Sequence, residues 1–97
     1  MPADTGGDEV DGSLLFRVSG VFTITGRGLV AAGLVERGSI HSGDRVAVLH
    51  GAQRFLAVCR GVEMINVQPP TDLRTIGLLL PDLTKAEVAE GDLIVGA

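Results

Sequence analysis

The chain has 97 residues, 45% of them apolar and 21% charged, with a single cysteine and a net charge of −4. That length supports one domain and no more, since single domains commonly run about 100 to 150 residues, and the balance is that of a globular rather than a disordered chain. No apolar run approaches the ~18 residues of a membrane-crossing helix, no basic stretch precedes an apolar one at the N-terminus, and Cys59 has no internal disulfide partner, so a cytoplasmic protein is expected.

Residues 1–12 carry Asp4, Asp8, Glu9 and Asp11 without a base and have almost no apolar content. Such a segment cannot offset the entropy of its own ordering, so 1–12 reads as a disordered acidic tail and 13–97 as the domain. From residue 13 onward, eight acids face seven arginines and Lys85. A neutral body argues against general phosphate attraction as a route to nucleic acid, which needs clustered cations. Any RNA contact would be local.

In chain order, short Val-, Ile- and Leu-rich segments alternate with glycine-containing turns, the pattern of a small barrel or sandwich. The strand candidates are Leu14 to Val18, Val21 to Thr25, Leu29 to Glu36, Asp44 to Leu49, Arg54 to Met64, Arg74 to Leu80 and Asp92 to Val95. Alternation puts Phe22 with Ile24 on one face, Val46 with Val48 on another, and Phe55, Ala57 and Cys59 on a third. Between the strands, Gly26-Arg27-Gly28, Ser42-Gly43-Asp44 and His50-Gly51 read as reversals. Pro69-Pro70 marks a loop over 65–73, because proline neither donates to a ladder nor permits helix before it. Thr84-Lys85-Ala86-Glu87 has capping-box spacing and room for one helical turn.

The chemistry begins with exclusions. A phosphate-cradling Gly-x-x-x-x-Gly-Lys-Ser/Thr loop needs a lysine after glycine, whereas the only lysine, Lys85, follows Thr84. A guanine-reading Asn-Lys-x-Asp is also impossible, since Asn66 is the sole asparagine and Val67 follows it. His41 and His50 lack neighbouring ligands at metal spacing, so neither a metal nor a cofactor is expected. Ser39, His41 and Asp44 form no hydrolytic triad, for they fall around one surface turn. No enzymatic constellation emerges. Gly26 and Gly28 either close a hairpin or form a backbone nest for an anion, and Arg27 between them is a candidate partner contact because a guanidinium binds carboxylate or phosphate bidentately. Glu63, between Val62 and Met64, needs solvent or a hydrogen-bonding partner.

The stretches Val21-Phe22-Thr23-Ile24-Thr25-Gly26-Arg27-Gly28, Gly33-Leu34-Val35-Glu36-Arg37-Gly38 and Gly61-Val62-Glu63-Met64 resemble, in order and spacing, domain 2 of elongation factor Tu in the translational GTPase family. The resemblance runs from about Leu15 to Ala97. It implies an all-β fold, a small closed antiparallel β-barrel of six to seven strands. It also implies a non-catalytic role in which such a barrel helps hold the aminoacylated end of transfer RNA. Glu63 matches the glutamate that lines the terminal-adenosine pocket in that family, and Phe22, Ile24 and Leu79 match apolar positions around it. The alternative for those three is ordinary barrel core.

Gly20, Ala32 and Asn66 depart from the family pattern, standing where an aspartate, a threonine and an arginine are usual, and the Ile65 to Gly77 region is about two residues shorter. Two expectations therefore stand. One is a translation-factor module, separately encoded as Met1 and the acidic tail suggest or excised from a longer protein, that contacts aminoacyl-tRNA, the ribosome or a GTPase domain. The other is a protein-interaction barrel that keeps the fold without the RNA role.

Overall fold

A computed structural model describes residues 14–64 and 75–97 of the chain. The acidic segment 1–12, the Pro69-Pro70 loop and Asn66 lie outside the described residues. Seven strands follow one another: β1 (Leu15–Ile24), β2 (Gly28–Arg37), β3 (Arg45–His50), β4 (Gln53–Val58), β5 (Gly61–Met64), β6 (Thr75–Leu79) and β7 (Leu93–Gly96). They form one sheet in the order β4-β3-β7-β1-β2-β6-β5, with every pair antiparallel. The fold is all-β. Among the described residues there is no helix, and so none long and apolar enough to cross a membrane.

The expected closure is not made by hydrogen bonds, because among the described residues no ladder joins the edge strands β4 and β5. Those edges are nevertheless consecutive in the chain. Cys59 donates its N–H to Asp44 O beside β3 (2.8 Å), and Arg60, the next residue, donates to Leu79 O of β6 (2.9 Å). One chain therefore changes partner from one end of the sheet to the other within a single residue. The sheet must curl until its two ends meet at that corner. This also explains why the single candidate strand Arg54 to Met64 is two strands: its apolar pattern runs on while its partner changes.

Two further candidates merge. Leu14 to Val18 and Val21 to Thr25 belong to one strand, β1, interrupted by a bulge rather than a turn. Val18 faces Gly33 of β2 and Gly20 faces Ala32, so Ser19 has no partner of its own, and its hydroxyl donates to Ala32 O (3.2 Å). An extra residue in one strand inverts the alternation beyond it. Before the bulge Phe16 and Val18 point into the core, fully buried, and after it Phe22 and Ile24 point out.

The core lies inside the curl, where Phe16, Val18, Leu29, Ala31, Val46, Val48, Leu78, Leu80 and Ile94 pack together with Cys59. Val88 and Leu83 close it from the segment before β7. There the expected capping geometry forms a turn: Thr84 N–H donates to Glu87 Oε1 (2.8 Å), Ala86 N–H to Thr84 Oγ1 (3.3 Å), and Glu87 N–H to Thr84 O (2.9 Å). His50 Nδ1 meets Asp92 Oδ2 at 2.7 Å, and that same oxygen accepts Ala89 N–H (2.8 Å), tying the end of β3 to the turn ahead of β7.

Candidate functional site

Two rows of residues cross β1, β2, β6 and β5 on the outer face of the sheet. Register aligns Phe22, Val30, Leu79 and Gly61 in one row and Gly20, Ala32, Gly77 and Glu63 in the next. Cross-strand partners share a face. Phe22 and Glu63 therefore lie on the same side, one row apart. Ile24, opposite Gly28, continues the face beyond Phe22.

Val30 and Leu79 are buried but stand outside the inner cluster, and Phe22 is 38% exposed. The first row supplies an aromatic and two aliphatic side chains. In the second, two glycines and an alanine, of which Ala32 and Gly77 are buried, lead up to the Glu63 carboxylate. The two departures from the family pattern that can be placed, Gly20 and Ala32, are direct cross-strand partners in this row.

Arg27 reaches this face from the β1–β2 turn. Its guanidinium forms an ion pair with the half-buried Glu63 carboxylate, and Arg27 Nη2 lies 4.0 Å from where a Cβ on Gly61 would sit. The pair spans the outer face from the hairpin to β5, which gives Glu63 the partner its position demands. Spacing could not show this, because 36 residues separate the two in the chain.

The turn itself is a hairpin closure. Arg27 N–H donates to Ile24 O (2.9 Å), so that amide is used in the reversal and is not offered to an anion. Gly26 and Gly28 both have positive φ, 82° and 115°. At Gly28 a side chain is excluded twice, by its φ and by Pro81, whose Cβ would lie 3.0 Å from an added Cβ.

Cavities of about 250 Å³ beside Leu14, Ile40 and Arg45, and about 300 Å³ beside Val46, Leu56 and Ala57, are lined by none of Phe22, Ile24, Glu63 or Leu79. His41 and Asp44 sit together on an exposed turn, with His41 N–H donating to Asp44 Oδ2 (2.9 Å). Among the described residues no three side chains gather as metal ligands. Arg17 and Glu36 form an exposed pair (2.7 Å). The hydrogen bond and charge of Arg17 hold the Glu36 carboxyl below its usual range.

Compared with known protein families, the chain matches no family model.

Proposed function

We propose that the outer face of β1, β2, β6 and β5 binds the terminal adenosine of an aminoacyl-tRNA 3′ end, making the chain a non-catalytic module of the translation apparatus, as its resemblance to elongation factor Tu domain 2 implies. The observation that carries this reading is the pair of rows: exposed Phe22, backed by the buried aliphatics Val30 and Leu79, beside a row of small residues that ends in a carboxylate. A flat heteroaromatic ring fits such a surface. Its face packs on Phe22, and its edge donors meet Glu63. Stacking one base on an aromatic contributes about 1 to 3 kcal/mol, and a hydrogen bond to a charged group about 1.5 to 3 kcal/mol. The remaining surface of the module would serve contacts with the ribosome or a GTPase domain, in the cytoplasm where translation takes place.

The test is an amide chemical-shift titration with an aminoacyl-adenosine mimic. Phe22, Ile24, Glu63 and Leu79 should move together and saturate, and Glu63→Ala should weaken binding roughly tenfold or more. Saturable binding that leaves these four amides in place would sink the proposal. The second reading, a protein-interaction barrel without an RNA role, draws on the engagement of Glu63 by Arg27, which occupies the carboxylate before any ligand arrives. On that reading the mimic moves none of the four.

A further inference from the structure

The other end of the sheet presents a different surface. β4 is an edge strand, paired to β3 alone among the described residues. Its open side follows from hydrogen bonds at its end. Cys59 N–H points back to Asp44 O beside β3, so by alternation the amides of Ala57 and Phe55 face β3 and those of Val58, Leu56 and Arg54 face away. Val58 N–H bears this out, since it is met on the open side by Asp82 Oδ2 (3.4 Å). A carboxylate stands in for the missing strand at one position only. The N–H and C=O groups of Arg54 and Leu56 are left unpaired among the described residues.

Three more observations fall on this edge. Leu56 is 62% exposed, the most exposed large apolar side chain among the described residues. A cavity of about 300 Å³ opens beside it, walled by Val46, Ala57 and Val58, with Arg45 and Asp82 at its rim. Arg45 and Arg54 are exposed, share the outer face with Leu56, and form no ion pair among the described residues. A row of open ladder groups beside an apolar hollow flanked by unpaired guanidiniums is a template for strand addition.

We infer that β4 accepts an extended acidic segment of a partner protein as an eighth strand, with apolar side chains turned into the hollow beside Ala57 and acidic ones turned outward beside Arg54 and Arg45. The pleat sends alternate residues to opposite faces, so the fitting sequence alternates acidic and apolar residues. Backbone pairing supplies affinity, and the two arginines choose the partner's charge. A second copy of this chain fits poorly. Pairing β4 with itself sets the same arginines of both copies along one ladder, where like charges oppose. Nucleic acid would use the arginines but neither the open amides nor the apolar hollow. This surface is separate from the Phe22 face.

The test uses the intact protein and two capped peptides, one alternating glutamate with valine and one alternating lysine with valine. The acidic peptide should shift and protect the Arg54 and Leu56 amides saturably, leave Phe22 and Glu63 unmoved, and lose roughly tenfold or more in affinity with the Arg45→Glu, Arg54→Glu double variant. Leu56→Pro, which deletes one open N–H, should abolish binding. The double variant alters only exposed side chains and keeps the test valid if the proline variant fails to fold. Equal binding of the lysine peptide, unchanged affinity in the double variant, self-association through the same amides, or preferential binding of an RNA oligonucleotide at this edge each overturns the inference.

Discussion

Replacing Gly33 by alanine is the sharpest perturbation this fold offers. Gly33 lies in β2 opposite Val18, beside the bulge at Ser19. A Cβ built there would stand 2.0 Å from Arg17 O, 2.9 Å from Arg17 C and 3.0 Å from Phe16 Cε1. The nearest atoms are backbone and a fully buried ring, so nothing can swing aside. At least about 1 Å must be opened between β1 and β2, the two longest strands, and overpacking of this kind costs 1 to 3 kcal/mol even where side chains alone give way. Here the backbone ladder must part as well, which puts Gly33→Ala at about 4 kcal/mol, in the class reserved for severe lesions.

A domain of this size has roughly 5 to 10 kcal/mol of stability in all, so the variant should fold only marginally. With a urea slope near 2 kcal/mol per molar, the unfolding midpoint should fall by about 2 M. Gly20→Ala is the control: Gly20 sits across the same bulge, yet an added Cβ there meets nothing within 4 Å among the described residues. It should change stability by less than about 0.5 kcal/mol. A Gly33→Ala midpoint within measurement error of the Gly20→Ala midpoint would refute the reasoning, since it would mean that the strands do not approach as described.

Further outcomes follow from the same geometry. Phe16→Ala, which empties a fully buried core site, should cost about 3 to 5 kcal/mol by urea unfolding, while Phe22→Ala on the outer face should cost about 1 kcal/mol; comparable losses would place Phe22 in the core after all. Burial pushes the Cys59 thiol up from its ordinary value, against the lowering effect of its contact with Gly61 O. Folding then favours the thiol over the thiolate: the contribution is fully present below the unfolded-state value near pH 8.5 and is lost as pH climbs toward the higher folded-state value. Native protein should therefore react with a thiol reagent only at its opening rate, and should lose more stability than Cys59→Ala between about pH 8 and pH 10. Rapid labelling, or parallel pH curves, would contradict that placement.

Much of the fold was legible in the order of residues. Glycine turns at Gly26, Gly43 and Gly51 and the alternation of Val46 with Val48 or Phe55 with Ala57 are local signals, because φ tolerance and a two-residue period are properties of neighbours in the chain. The Thr84–Glu87 cap is legible for the same reason. So was the all-β class, and so was the set of residues that resemble a binding motif. What the order of residues could not decide was facing and partnership. The bulge at Ser19 turned Phe22 and Ile24 away from the core, though their spacing from Phe16 and Val18 would have kept them inside in an unbroken strand. Cys59 and Arg60 divided one apolar run between two ends of the sheet. Arg27 met Glu63 across three strands. Each depends on which strand lies beside which, and that is set by long-range register, a quantity that hydrophobic pattern alone leaves degenerate until the sheet curls and buries one face.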